Sequence, residues 1–409
     1  MHGDGTKLDN IPNKPPPARL LDVTRLIRRA GRFLTGVDRV EMAYLSEFLE
    51  RSVPIFGLVR TSFGYVLLDR AGLCEIKSKL CGTVPFAGID ALSRLPRGLT
   101  KTQRQALTEV RKWSIARSTP RKFERMLAEN LPPKTSYINV GHSNITDRVF
   151  AGIKDALHGQ ISVMIHDVIP LDFPEFQRIG TVEGFREKLE RVQRYADLII
   201  YNSQDTQVRS EKYLGLWGQV PDAIVSHLGT VTPHVATNFT LPTAPYFVSV
   251  STIEPRKNHQ FLLDLWEDLG SGAPELHICG ARGWNNEAVF HRLDSLLDGT
   301  KVYERNDLND SELMALVAGS HGMLFPSLAE GFGLPPVEAA ALGVPILCND
   351  LEVLREILGD IPVYASVSDS YQWIETVKKL ALSDPNMREV VNYTPPSWDD
   401  HFKIVLSLV

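Results

Sequence analysis

The chain has 409 residues, 43% of them hydrophobic, enough for two buried cores of ordinary domain size. A formal net charge of −5 excludes nucleic-acid binding by bulk charge. Cys74, Cys81, Cys279 and Cys348 form no Cys-x-x-Cys pair and have no His at zinc-ligand spacing, so reduced thiols in a cytoplasmic protein are expected.

Residues 1–17 are polar and end in Pro15-Pro16-Pro17, which predicts a disordered N-terminal tail without a secretory leader. No run of 18 apolar residues predicts a membrane span. Short apolar runs then alternate with helix-period segments. Strands are predicted at Arg19–Asp22, Pro54–Leu58, Tyr65–Leu68, Ser136–Val140, Ile161–His166, Leu198–Asn202 and Ala223–Val225. Helices are predicted at Asp38–Arg51, Thr102–Ala116, Gly184–Tyr195 and Asp205–Leu214. Several strands are apolar at consecutive positions, as in parallel sheets covered on both faces.

Residues 230–245 carry Pro233, Pro242 and Pro245 without periodicity and are read as a linker between a domain at 18–229 and one at 246–390. The pattern restarts with strands Tyr246–Val250, Glu275–Cys279, Lys301–Tyr303, Gly322–Phe325, Pro345–Cys348 and Ile361–Tyr364. Helices lie between them at Asn258–Leu269, Asn286–Leu297, Asp310–Gly319, Pro336–Leu342 and Glu352–Ile357, with Asp310 as a capping residue. Residues 391–409 are expected to cross back onto the first domain. Two doubly wound α/β domains facing a cleft follow, with ligands at the carboxyl ends of the strands.

The segment 94–125 holds ten Lys and Arg against Glu109 and Glu124, with Leu107, Val110, Trp113 and Ile115 interleaved. Read as a helix-like stretch, it is either a surface drawn to anionic lipid or a solvated face over a core.

In Glu330-Gly-Phe-Gly-Leu-Pro-Pro-Val-Glu338, a strand runs into a glycine loop and then a helix start. Gly331 and Gly333 let backbone approach a ligand, prolines suit the first helical turn, and the helix start offers amides to an anion. Glu330 and Glu338 flank that start and can accept hydrogen bonds from sugar hydroxyls. An ordinary strand–loop–helix with solvated glutamates has the same outline. Val250-Ser-Thr-Ile-Glu-Pro-Arg-Lys-Asn258 puts the cations Arg256 and Lys257 after a strand, where they can neutralise a leaving diphosphate. Leu34-Thr-Gly-Val-Asp-Arg39 follows the first strand, and His166-Asp167 ends another.

The Glu330–Glu338 stretch, with Phe-Pro-Ser before it and Glu-Ala-Ala-Ala-Leu-Gly-Val-Pro beyond, resembles the EX7E motif of retaining GT4 glycosyltransferases of GT-B fold. The resemblance implies that Glu330 contacts donor-sugar hydroxyls and Glu338 the ribose. It places the amides of Phe332, Gly333 and Leu334, beside Gly331, on sugar and phosphate. Glu-Pro-Arg-Lys-Asn resembles the family's diphosphate segment; Ser251 stands where many members carry an Arg, which shifts the charge burden to Arg256 and Lys257. Gly36 resembles the close-approach residue of the glycine loop, with Arg39 able to add charge. His166, followed by Asp167 and the continuation to Glu175, resembles bacterial mannosyltransferases of polysaccharide and glycolipid assembly.

The implied activity is retaining transfer of a hexose, foremost mannose from GDP-mannose, to a glycan or lipid-linked acceptor. A UDP-hexose donor is the alternative. No Asp-x-Asp triplet occurs, so no metal and no cofactor beyond the nucleotide-sugar co-substrate is expected. Competing readings are a nucleotide-sugar epimerase, a phosphorylase, for which no convincing pyridoxal lysine is found, and a non-catalytic sugar-nucleotide binder. A dehydrogenase is disfavoured because no Gly-x-Gly-x-x-Gly follows an early strand. A cytoplasmic enzyme, peripheral to the inner face of the membrane through 94–125, completes the expectation.

Overall fold

The computed structural model describes residues 15–32, 34–231, 234–296, 300–388 and 393–409. Most of the expected N-terminal tail, residues 1–14, therefore lies outside the described residues, as do Pro233 in the linker, Leu297, and residues 389–392 at the last boundary.

The strands of the first domain are β1 (Arg19–Asp22), β2 (Ile55–Thr61), β3 (Gly64–Leu68), β4 (Ser114–Ser118), β5 (Ser136–Asn139), β6 (Ile161–Ile165), β7 (Leu198–Tyr201) and β8 (Asp222–Val225). Its helices are α1 (Thr24–Arg28), α2 (Gly36–Glu50), α3 (Arg70–Leu80), α4 (Ala91–Arg94), α5 (Lys101–Lys112), α6 (Phe123–Asn130), α7 (Asp147–Leu157), α8 (Ile169–Asp172), α9 (Thr181–Tyr195) and α10 (Gln204–Trp217). One sheet of order β4-β3-β2-β1-β5-β6-β7-β8 results. Its central strands β1, β5, β6 and β7 are buried at every position, as strands covered on both faces are.

The first sheet is parallel, as expected of a doubly wound domain, except at one edge. β3 runs antiparallel to β2, and β4 antiparallel to β3. Ser62 and Phe63 alone join β2 to β3, too short for a parallel crossover, and Gly64 takes φ 133° to make the bend.

The helix predicted at Thr102–Ala116 is also corrected. α5 stops at Lys112, and Ser114–Ser118 becomes β4. The basic segment 94–125 is thus no single amphipathic helix: it is divided among α4, α5, β4, a 3₁₀ turn at Pro120–Lys122 and α6. Val110 is fully buried, and Leu107 and Trp113 pack against the core. Arg111 pairs with Asp90 at 2.6 Å, and Arg104 donates to the carbonyls of Arg94, Pro96 and Leu99.

The second domain contains β9 (Tyr246–Val250), β10 (Glu275–Cys279), β11 (Val302–Arg305), β12 (Gly322–Phe325), β13 (Ile346–Cys348) and β14 (Val363–Tyr364). Its helices are α11 (His259–Leu269), α12 (Glu287–Asp294), α13 (Asp310–Gly319), α14 (Leu334–Ala341), α15 (Glu352–Leu358) and α16 (Ser370–Ala381). The strands form one parallel sheet, β11-β10-β9-β12-β13-β14. Asn309, rather than Asp310, caps α13: its side chain accepts from the amides of Ser311 and Glu312, while Glu312 reaches back to the amide of Asn309.

The last helix, α17 (Trp398–Val405), returns to the first domain. Phe402 packs edge-on against Tyr44 at 5.0 Å, His401 bonds the Tyr44 hydroxyl at 2.8 Å, and Arg19 donates to the carbonyl of Val409. Gly229 lies against the Trp398 backbone so closely that a Cβ there would overlap it.

Candidate active site

In each sheet the strand order reverses beside the first strand of the domain, between β1 and β5 and between β9 and β12. The crevice of an open α/β sheet lies at such a point, off the carboxyl ends of the strands. In the second domain this brings the loop after β9 beside the loop after β12: the amide of Leu328 donates to the carbonyl of Arg256 at 2.7 Å. Glu330 meets Arg256 and Lys257 there, 74 and 73 positions away in sequence.

Lys257 Nζ bonds Glu330 Oε1, and Arg256 Nη1 bonds Glu330 Oε2 at 3.0 Å and the Ala329 carbonyl at 2.9 Å. Arg256 Nε also pairs with Glu254 at 2.6 Å. Burial alone would raise the Glu330 carboxyl, but Lys257 and Arg256 outweigh it and hold the group down at about 2. Burial pushes Glu254 and Asp167 upward against the same cations. Glu254 was not among the sequence candidates, although it precedes the cations in the same motif. Ser251 bonds His259 at 3.3 Å instead of joining this cluster.

The first domain supplies the opposite wall. A Cβ on Gly331 would overlap the carbonyl oxygen of His166 and lie 3.0 Å from the Cβ of Asp167, so only glycine lets the Glu330 loop reach the end of β6. Ser203 and Thr206 donate to the Gly331 carbonyl at 3.1 and 3.2 Å, and Asn202 to the His166 carbonyl at 2.9 Å. None of the three was a sequence candidate: Asn202 ends a predicted strand and Thr206 lies in the predicted helix Asp205–Leu214. His166 is 6% exposed; its Nε2–H donates to the Val140 carbonyl at 2.6 Å, and burial lowers its pKa to about 4. The ring is therefore neutral near pH 7, with Nδ1 as an acceptor.

Two helix starts face each other across the cleft. α2 begins at Gly36 behind a Thr35–Asp38 capping box, and α14 begins behind Gly333, which adopts φ 95°. A Cβ on Gly36 would lie 3.4 Å from Leu334 Cδ1. In the first turn of α14, Pro335 and Pro336 carry no N–H, so the donors there are the amides of Gly333 and Leu334. Phe332 turns inward, 4% exposed, and packs 6.1 Å from the His227 ring. Arg39 leaves the first domain to pair with Glu338 at 2.6 Å, so it meets the predicted ribose residue rather than the Glu330 cluster. Burial raises Glu338 and Arg39 opposes it. Beside this pair opens a cavity of about 940 Å³ with apolar walls that include Met42, Ala43, Met314 and Leu334. On the other side, Trp284 and Asn285 donate to the carbonyls of Phe176 and Gln177 at 3.1 and 2.8 Å, clasping the domains.

The two facing α/β domains define the GT-B class of glycosyltransferase fold. An Anabaena Alr3699/HepE structure solved with UDP and glucose superposes with TM-score 0.59 over 96% of this chain and 95% of that one, at 14% identity. A trehalose-6-phosphate synthase structure gives 0.53 over 96% and 95%, also at 14% identity. Residues 237–395 match the family described as glycosyl transferases group 1. The serotype-specific mannosyltransferase WbdA of Escherichia coli is 29% identical over 223 residues, covering 50% of this chain and 27% of that protein. O-antigen chain mannosyltransferase B of Escherichia coli is 30% identical over 148 residues, 36% of this chain and 39% of that protein. The aligned stretches thus span well under half of these relatives.

Proposed function

We propose that the chain is a retaining hexosyltransferase using a nucleotide-diphosphate sugar, foremost GDP-mannose, with a glycan or lipid-linked acceptor of cell-surface polysaccharide or glycolipid assembly. The observation that carries it is the buried Glu330 held by Lys257 and Arg256 between two helix starts, next to a cavity at Glu338 large enough to admit a nucleoside. The mannosyltransferase relatives support the donor.

In this reading the cavity takes the base, Glu338 the ribose, and the amides at Gly333 with Arg256 and Lys257 the diphosphate. Positive groups stabilise the charge on the departing phosphate, so no metal is required. The C1–O bond to the diphosphate breaks with oxocarbenium character. The acceptor oxygen attacks C1 on the same face, and its proton passes to the leaving phosphate. Glu330 and His166 orient the sugar, and domain closure excludes water.

A panel of nucleotide sugars scored by thermal shift and donor hydrolysis tests this. A bound donor raises the melting temperature by mass action. If no nucleotide sugar or nucleoside diphosphate shifts it, the reading falls.

Contact with an anionic membrane surface is part of the proposal. Leu92 and Leu95 are 44% and 64% exposed amid Arg94 and Arg97, and among the described residues no helix is long and apolar enough to cross a membrane. Co-sedimentation with anionic but not neutral vesicles is expected; equal binding to both overturns this part.

A further inference from the structure

A loop that the donor reading leaves unused stands beside His166. It is Gly141-His-Ser-Asn144, which follows β5 where the first sheet reverses its strand order. His142 adopts φ 55° and Asn144 φ 64°, a left-handed conformation that side chains take at a cost and that clusters at functional sites. A buried polar network holds the loop there. Asn139 Nδ2 donates to the Ser143 carbonyl at 2.6 Å and to the Tyr137 hydroxyl at 3.0 Å. Tyr137 and Asn144 in turn donate to Asp22 Oδ2 at 3.0 and 2.9 Å. A Cβ on Gly141 would overlap the Glu41 carboxylate of α2, so only glycine lets the loop pass that helix. Burying a carboxyl group and two amides is costly unless they are bonded, and the bonds made here fix the placement of His142.

His142 and His166 are tied down in the same way. His142 Nε2–H donates to the Met164 carbonyl of β6 at 2.7 Å, and His166 Nε2–H to the Val140 carbonyl beyond β5 at 2.6 Å. A carbonyl only accepts, so in each neutral ring Nε2 carries the proton and Nδ1 is left as an acceptor. Among the described residues neither Nδ1 has a hydrogen-bond partner, and, unlike Nδ1 of His259 and His277, neither is shut off from solvent. The two rings lie 5.2 Å apart, and half-buried Phe185 on α9 stands 6.3 Å from His142. Acceptors beside an apolar face suit a polyhydroxylated ligand, whose hydroxyls donate and whose C–H groups pack on a ring. Burial holds His142 down at about 3, so it orients a hydroxyl without taking its proton.

We infer that His142 is an acceptor-binding residue, whose Nδ1 accepts a hydrogen bond from a hydroxyl group of the acceptor while the neighbouring His166 faces the donor sugar. That the hydroxyl belongs to the acceptor rests on the transferase reading; that the site takes hydroxyl groups does not. His166 abuts the Glu330 loop through Gly331, so a hydroxyl held at His142 lies one ring away from the donor sugar.

The test uses methyl α-D-mannopyranoside as probe. In protein with ¹⁵N-labelled histidine, two-bond ¹H–¹⁵N spectra at neutral pH should show His142 as the Nε2–H tautomer, and the probe should shift its Nδ1 resonance, assigned by its loss in His142→Gly. In turnover with GDP-mannose or UDP-glucose, His142→Gly should raise the KM for the probe about tenfold, the scale of one hydrogen bond, and leave donor hydrolysis by water unchanged. Glycine takes φ 55° without penalty, so the variant is expected to fold, and circular dichroism checks it. His142→Asn, which tolerates the same backbone and keeps an acceptor oxygen, should recover most of the loss. An Nδ1 resonance indifferent to the probe, an unchanged KM in His142→Gly, or hydrolysis lost in step with transfer overturns the inference. If neither donor binds while the probe still shifts Nδ1, the transferase reading falls and the hydroxyl site stands.

Discussion

Arg39 and Glu338, 299 positions apart, join the two domains through a 2.6 Å ion pair at the edge of the cleft. Burial favours the protonated form of Glu338, and Arg39 opposes that effect. An ionised carboxylate accepts from ribose hydroxyls; a protonated one accepts less well. Arg39→Ala should therefore weaken nucleoside diphosphate binding more at pH 6 than at pH 8, whereas the parent protein shows little difference. Calorimetric titration at both pH values checks this; equal weakening at both shows that Arg39 does not act through Glu338.

Glu330→Gln and Lys257→Ala should each reduce sugar transfer by about 100- to 1,000-fold, the scale of losing one preorganised electrostatic group. Each also leaves opposite charge buried and undercompensated, which costs about 3 kcal/mol. Donor turnover and chemical denaturation measured on the same preparations separate the two effects. Transfer at the parent rate in Glu330→Gln would remove that residue from the mechanism.

Gly331→Ala forces a methyl group onto the His166 carbonyl, and neither backbone can yield freely. A loss of about 1–3 kcal/mol is expected from overpacking, together with loss of transfer. Nucleoside diphosphate binding at Glu338 should survive. A variant with parent-like melting and transfer rates would mean that the loop can withdraw from β6.

His166, His259 and His401 are 6%, 0% and 1% exposed, and burial lowers them to about 4, 3 and 4. Unfolded, they titrate near 6.5. Between these values the unfolded chain binds more protons, so their contribution is intact above about pH 6.5 and is lost as pH falls toward 4. Asp22 and Glu41, raised by burial, work in the opposite sense, so the informative quantity is a difference between variants. His401→Gln should flatten the dependence of unfolding free energy on pH between 6.5 and 5 by up to about 1.4 kcal/mol per unit. Urea titrations across that range read it directly, and an unchanged slope excludes His401 as a contributor.

Phe402→Ala should destabilise the protein by about 3–5 kcal/mol, because its ring fills a buried position against Tyr44 and Trp398. Equilibrium denaturation checks it, and a loss below about 1 kcal/mol would show that α17 docks weakly.

The parallel core was legible because strands such as β6, β7 and β9 are mostly apolar at consecutive positions, and the Glu330 loop because glycines and prolines mark where backbone must approach and a helix must begin. The antiparallel edge was obscured. Ser114–Ser118 alternates between half-buried and exposed positions directly after a helix, so its apolar members extend the helical period. Arg256, Lys257 and Glu330 were each identifiable as charged residues after strands, but their mutual pairing depends on sheet order. Asn202, Ser203 and Thr206 act through backbone carbonyls of other loops, and no local pattern announces that. The role of Arg39 shifted for a similar reason: its partner lies on another domain.

The return of α17 has a temporal consequence. Tyr44 and Arg19 are made early, yet their partners Phe402, His401 and Val409 lie at positions 401–409. During synthesis the first domain must wait, with part of its apolar surface uncovered, until the second has left the ribosome. Maturation of the two halves is thereby tied into one event, and protection from aggregation during that interval falls to whatever holds nascent chains.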